Sequence, residues 1–478
     1  MKISFIDPPN LLNKRNVERV FGCTYSLYPL PNLYSLYNAS VLEREGFLVN
    51  YIDMANEGWS KKRLLNFIKK DDSDVYVFYS VNLSMDSDLL VAEEIRKIKK
   101  DVYIIFLGPA PTYFKERFLK DENTFVIRSE TEETILELMH CLANNESYSH
   151  IKGISFLREG KVFNNPTRAL IEDLDELPFP ARHLLKKEIY YNPKLPQRPF
   201  TVMQTSRNCA YRCLFCVPNS LSFAIELEYR RYNQDKKPPV RLRSAENVIE
   251  EFKELSKQGY KSVSIIDDQF LWDKQRTLKI CEGIRGLGIS WGILSRADHL
   301  DEETVVALSE ANCGYVDIGV ESFKQEILND IRKGINVERI YEAIRLLKRY
   351  NILAKINLIL GSSPLQTKED IKNDIKIAHS LDVDAVMFSI ATPFPGTEFY
   401  RRAKENKWFI REDYYPESVQ RRAIISYPGI SYKELNYLIR FANLSFYLNP
   451  KFIRKNIKHI LNFRYLLGVL KALKRKIF

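Results

Sequence analysis

Three cysteines, Cys209, Cys213 and Cys216, stand in T-S-R-N-C-A-Y-R-C-L-F-C-V-P-N, directly after an apolar extended run from Phe200 to Thr205. The spacing C-x3-C-x2-C puts three thiolates on one loop, enough to hold three irons of a cubic [4Fe–4S] cluster. Clusters that only carry electrons normally take four cysteines. A trio leaves one iron open, which points to chemistry at the cluster rather than storage of an electron. The competing chemistry is a tetrahedral zinc site, which needs a fourth Cys or His. Cys281 and Cys313 lie much further along and His183 in an upstream linker, none at zinc-finger spacing from the loop.

The motif, with the strand before it, resembles the radical S-adenosylmethionine (SAM) superfamily. Phe215 matches that family's usual aromatic between the last two cysteines, whereas Ala210 replaces the proline of its C-P-Y-x-C pattern. The resemblance implies that the open iron binds the amino and carboxylate groups of SAM. One electron, from a donor such as flavodoxin or ferredoxin, then splits SAM into methionine and a 5′-deoxyadenosyl radical.

Elements must position this loop, and the length allows for them. A chain of 478 residues makes two or three ordinary domains. Hydrophobic residues at 45% and charged residues at 28% exclude a disordered chain. Three clustered and four scattered cysteines do not form a disulfide framework, and exposed thiolates suit a reducing cytosol. With no signal-peptide core and no apolar run of membrane-spanning length, the expected location is cytoplasmic. The net charge is +11, but residues 451–478 hold nine Lys and Arg and no acid, leaving +2 for the rest. That balance argues against nucleic acid as a partner.

In residues 1–150 five short apolar runs alternate with four helical patterns. Strands are expected at Lys2–Ile6, Leu48–Ile52, Val75–Tyr79, Val102–Leu107 and Thr124–Ile127, with helices at Asn32–Glu45, Lys61–Lys70, Ser87–Lys99 and Glu132–Leu142. Such alternation predicts a parallel sheet covered on both faces, with ligands beyond the strand C-termini. The loops there are Asp7-Pro8-Pro9, Val81–Ser84, Gly108–Thr112 and Ser129–Glu132. This region resembles the cobalamin-binding domain that precedes many radical SAM cores. F-L-G-P-A-P-T is similar to that family's G-G-P-H-x-T, and V-I-R-S-E-T-E-E-T-I-L-E-L to its R-G-E-G-E-x-T-x-x-E-L. Leu107, Ala110, Ser129 and Thr131 depart from the pattern, and lost glycines narrow the room near the backbone. No D-x-H-x-x-G motif is present. D-M-A-N-E-G at 53–58 has its spacing without the histidine and follows the second strand rather than the first. A corrinoid here would have no histidine ligand from that motif; the alternative is a domain that only shapes the substrate pocket.

Residues 151–199 contain a hairpin pattern, I-S-F-L-R-E-G-K-V-F, and a proline-rich connector marking a domain boundary. From Phe200 strand–helix alternation resumes six times, with strands at 200–205, 262–267, 289–295, 314–320, 354–360 and 384–390. Helical patterns lie between them, such as Ala245–Lys257, Gln275–Leu287 and Val337–Tyr350. Six such units fit the partial (β/α)6 barrel of radical SAM proteins, whose active groups lie at strand C-termini. The resemblance then assigns the strand ends. Asp267 and Asp268 would grip the amino group of SAM, although a helix cap accounts equally well for one of them. Arg296 would pair with a carboxylate of SAM or substrate, Glu321-Ser322 would meet the ribose, and Gly361 resembles the start of G-x-P-x-E-T, with Leu365 and Gln366 departing from it. S-I-A-T-P-F-P-G-T-E-F-Y is similar to the sixth-strand P-x-P-G-T-x-x-Y motif. No residue stands out as a catalytic acid, base or nucleophile.

Residues 421–478 read as a helical segment ending in a basic amphipathic tail, suited either to an anionic membrane surface or to packing on the barrel. The expected architecture is α/β: a Rossmann-like cobalamin-binding domain (1–150), a linker (151–199), a radical SAM barrel (200–420) and a basic helical segment (421–478). The expected activity is cobalamin-dependent radical SAM chemistry, foremost methyl transfer to an unactivated carbon of a lipid or secondary-metabolite precursor. The cofactors would be a [4Fe–4S] cluster, SAM and cobalamin. A non-methylating cyclase, ring-contracting or rearranging enzyme on the same scaffold is the nearest alternative, and a metal-dependent binding or regulatory protein the more distant one.

Overall fold

The protein is described by a computed structural model covering residues 1–13, 15–412 and 417–455. It divides into two compact units: Met1–Ala210 with Val217–Asp268, and Tyr211–Cys216 with Gln269 onward.

The first unit opens with β1 (Lys2–Ile6), α1 (Leu33–Arg44), β2 (Leu48–Ile52), α2 (Lys61–Lys70), β3 (Val75–Tyr79), α3 (Met85–Ile98) and β4 (Tyr103–Leu107). Two short helices, α4 (Pro109–Tyr113) and α5 (Lys115–Phe118), lead to β5 (Thr124–Ile127), α6 (Glu132–Ala143) and the hairpin β6 (Ile154–Arg158)–β7 (Lys161–Asn164). The sheet order is β2-β1-β3-β4-β5-β6-β7, parallel through β5 and antiparallel in the hairpin. Every residue of β3, V-Y-V-F-Y, is buried, as a central strand covered on both faces requires. The order 2-1-3-4-5 places the topological switch point between β1 and β3. Helix α3 begins two residues before the expected Ser87, because the Met85 N–H already donates to the Val81 carbonyl.

The same unit contains β8 (Phe200–Met203), β9 (Ser206–Arg207), α7 (Ser220–Tyr232), β10 (Arg241–Leu242), α8 (Ala245–Lys257) and β11 (Ser262–Ile265). Strands β8 and β11 pair in parallel, β9 and β10 antiparallel. Strand β8 stops short of the expected Thr205 because Thr205 turns its backbone N–H and hydroxyl onto Asp267.

The second unit holds α9 (Lys274–Ile284), β12 (Ser290–Ser295), α10 (Glu302–Glu310), β13 (Cys313–Glu321), α11 (Gln325–Asp330), α12 (Val337–Arg349), β14 (Leu353–Leu360), α13 (Lys368–Ser380), β15 (Ala385–Ile390) and α14 (Glu398–Glu405). Strands β12 to β15 are parallel neighbours in chain order. Helix α12 buries Ile340, Ala343, Ile344 and Leu347, the one-sided stripe that a 3.6-residue period produces. Helices α15 (Tyr432–Tyr447) and α16 (Pro450–Lys455) follow, α15 opening with a capping box between Ser431 and Glu434. Most of the basic tail lies outside the described residues. Among those described, no helix is long and apolar enough to cross a membrane.

Candidate active site

The cysteine loop leaves β9 at Arg207, a residue the sequence reading passed over. Its guanidinium is fully buried and donates to Glu130 and Glu132 at 2.6 Å each. Arg241 on β10 also donates to Glu130 at 2.7 Å. Burial works against ionisation of Glu130, but the two arginines outweigh it and hold the carboxyl below its usual range. The acids of R-S-E-T-E therefore anchor the residue two places before Cys209. Beside them Ser129 keeps a positive φ of 65°, the conformation for which glycine is usual there. Thr131 has a negative φ of −113°, and its hydroxyl oxygen accepts from the Asn38 amide Nδ2 at 2.8 Å.

The three loop cysteines are in no disulfide and are of intermediate exposure, and Phe215 between the last two is likewise half-buried. Within the second unit the Leu214 N–H donates to the Ile331 carbonyl at 3.0 Å and the Leu214 carbonyl accepts from Phe399 N–H at 3.2 Å. Tyr211 stacks on Trp272, places its hydroxyl 2.6 Å from His299 Nε2, and lies 3.7 Å beneath the Arg296 guanidinium. Arg296 also makes a bidentate pair with Asp298, at 2.9 and 2.7 Å, and donates to the Lys333 and Gly334 carbonyls. It thus supports the loop from one side, with much of its donor capacity engaged.

At the end of β13 Glu321 adopts a positive φ of 71°, just past a register shift between Gly319 and Glu321. Such strain and bulging re-aim a side chain and occur at functional sites. Its carboxylate meets the buried Lys333 ammonium at 2.8 Å. A Cβ on Gly319 would lie 2.8 Å from both partners, so a larger residue there would push the two side-chain ends aside. Burial opposes the charge on Lys333, yet Glu321 and Cys213 hold the ammonium above its ordinary value. Nothing in the sequence singled out Lys333, twelve residues from its partner. Ser322 donates to Asp374 at 2.7 Å, and burial raises Asp374 to about 6.

Asp267 and Asp268 differ sharply. Asp267 accepts from Thr205 N–H, Thr205 Oγ1 and Ser206 Oγ, which locks the turn before the loop. Asp268 accepts from the Asn219 N–H at 2.6 Å, at the start of α7, and burial raises its pKa to about 7 against hydrogen bonds from Ser222 and Asn219. Gly361 has a positive φ of 72°, donates its N–H to Gln366 Oε1 at 2.7 Å and accepts from the Tyr427 hydroxyl at 2.8 Å. Gln366 also reaches Asp374 at 3.4 Å through its Nε2, a donor that an ionised glutamate lacks.

Among the described residues no three His, Cys, Asp or Glu side chains are already converged on a metal-sized point. The fit of a cluster therefore rests on the donor set, which suits it: three soft thiols on one loop, none in a disulfide, with Arg296 and Lys333 as cations near Cys213. At the sheet of the first unit, the Ser129 hydroxyl and Asn38 amide oxygen are buried without partners among the described residues. Those are polar positions suited to the peripheral amides of a corrinoid. Gly108 has another reason to be glycine: its φ is +101° and a Cβ would come within 2.6 Å of the Ser80 carbonyl. His183 is exposed and pairs with Glu43 at 3.0 Å.

Residues 203–364 match the radical SAM superfamily. The chain is 32% identical over 462 residues to an uncharacterized methyltransferase of Pyrococcus horikoshii, PH0819, covering 96% of this chain and 95% of the relative. It is 24% identical to cytidylyl-2-hydroxyethylphosphonate methyltransferase of Streptomyces wedmorensis, over 90% of this chain and 86% of that one. Its fold is similar to that of the cobalamin-dependent SAM radical enzyme OxsB, solved with aqua-cobalamin bound, at a TM-score of 0.72 and 17% identity, over 98% of this chain and 72% of that one. The chain belongs to the radical SAM superfamily. It is a radical SAM enzyme, with a Rossmann-like domain ahead of the partial (β/α)6 barrel.

Proposed function

We propose that this enzyme uses a [4Fe–4S] cluster and cobalamin to transfer a methyl group from SAM to an unactivated carbon of a small molecule. The observation that carries the reading is the trio of half-buried thiols, none in a disulfide, on the loop that follows a barrel strand. The relatives' methyl-transfer chemistry supports the choice of reaction. Residues 1–150 would hold the corrinoid, 151–199 link it, and 200–420 form the barrel.

When bound, the cluster supplies the electron that cleaves SAM, and the corrinoid carries the methyl group. The protein's own residues hold, orient and exclude water. Cys209, Cys213 and Cys216 would hold three irons of the cluster, with Phe215 beside them on the same loop. Arg296 and Tyr211 brace the loop between Cys209 and Cys213. Asp268 accepts from the SAM ammonium, and Glu321, fixed by Lys333, accepts from ribose hydroxyls. Asp267, Ser322 and Gly361 hold the strand ends on which those contacts depend. No histidine is assigned to the cobalt.

The electron donor is a low-potential protein such as flavodoxin or ferredoxin. A lipid or membrane-held substrate is favoured by the C-terminal region. Tyr437, Phe441, Leu444 and Leu448 form an exposed apolar stripe along α15 and its end, and the basic tail follows in sequence. Incubating the reconstituted enzyme and reductant with methyl-labelled SAM and a lipid extract tests the reaction. Label in a carbon–methyl product together with 5′-deoxyadenosine is expected. 5′-Deoxyadenosine with unlabelled, cyclised or rearranged products would replace methyl transfer by the non-methylating chemistry.

A further inference from the structure

Gln204 directly follows β8 and precedes the cysteine loop by five residues. Its side chain is 2% exposed, and neither Oε1 nor Nε2 has a hydrogen-bond partner among the described residues. Its own backbone and the two residues after it are engaged elsewhere. Its own carbonyl accepts from Arg243 Nη1 at 2.8 Å, and the next two residues give their hydroxyls to Asp267. Side chains along a strand alternate between faces. Thr201 faces Arg182, which pairs with Glu251 on α8, so Gln204 continues the opposite face, with Phe200 and Val202. A buried carboxamide with both ends unmet is costly in the absence of a ligand, because each group forfeits its hydration. A packed apolar side chain would avoid that cost.

We propose that Gln204 is a ligand-binding residue whose carboxamide meets a paired donor and acceptor on SAM. This rests on the reading that Asp268 takes the SAM ammonium. Asp268 follows β11, the parallel partner of β8, with Met203 in register with Ile265. The two side chains thus stem from the C-terminal ends of adjacent strands. The methionyl end of SAM offers a donor in its ammonium and an acceptor in its carboxylate, and the adenine edge offers the same pairing. The corrinoid's peripheral amides share this chemistry and form the competing source.

The test compares wild type with Gln204→Leu and Gln204→Met, measuring urea unfolding of the cluster-free proteins and binding of SAM and of hydroxocobalamin to the reconstituted ones. The cluster-free variants are expected to be as stable as wild type or more so, and the reconstituted variants to bind SAM at least tenfold more weakly while retaining hydroxocobalamin equally. Loss of hydroxocobalamin with normal SAM binding would overturn the assignment to SAM. Unchanged binding of both, as when only a water serves the amide, would overturn the proposal, and so would variants that unfold more easily. Wild type that binds no SAM would sink the underlying reading instead, so the two failures are separate.

Discussion

At the scale of the residue, the informative groups are those whose environment departs from their neighbours'. Asp267 and Asp268 are adjacent in sequence, yet one is consumed by three hydrogen bonds and the other is held near neutrality by burial. Because the folded pKa of Asp268 is raised from 3.8 to about 7, the folded state binds more protons than the unfolded one between those values. Its contribution to stability therefore falls as pH rises through that window. SAM binding should respond in the opposite sense, since a carboxylate accepts from an ammonium better than the neutral acid does. Affinity should rise between pH 6 and 8, and Asp268→Asn should bind weakly with a flat profile; binding isotherms across that range check both. The cysteines and Asp268 could be named as candidates from the sequence because spacing and strand-end position mark them. Lys333 and Gln204 were not, since a distant ion pair and an unmet amide exist only once the chain is folded.

At the scale of the element, the strands and helices were read nearly to their ends, and the deviations have local causes. Strand β8 is shortened by the hydrogen bonds to Asp267, and α3 is lengthened by a bond to Val81. The pattern reading named neither β9 nor β10, two residues each, because period-2 alternation needs a longer run to be visible. Those two strands matter, since they present Arg207 and Arg241 to the acids of the loop after β5. The R-S-E-T-E segment resembles part of a cofactor loop, and its carboxylates also pair with the stem of the cysteine loop. Arg207→Met would leave Glu132 buried without its cation, a change that typically costs about 3–5 kcal/mol. Urea unfolding should show a loss of that size, far above the effect of removing an exposed pair such as Arg285–Glu310.

At the scale of the whole molecule, the sequence order of elements indicated a Rossmann-like domain followed by a barrel, and the 2-1-3-4-5 strand order agrees. The C-terminal region was the least legible part, because an apolar stripe among basic residues suits a lipid surface and an intramolecular contact equally well. Each basic residue near an anionic surface contributes about 1 kcal/mol, and salt screens that attraction. Full-length protein should float with anionic liposomes at low salt and be released at high salt; protein that stays at the bottom at low salt would remove the support for a lipid substrate.

The central claim is that one chain holds both an open iron–sulfur cluster and a corrinoid. Elemental analysis after anaerobic reconstitution with iron, sulfide and hydroxocobalamin, followed by gel filtration, tests it most directly. The account predicts about four irons and about one cobalt per chain, with the iron lost and the cobalt kept in Cys213→Ala. A colourless protein carrying one tightly held zinc and no cobalt would contradict it.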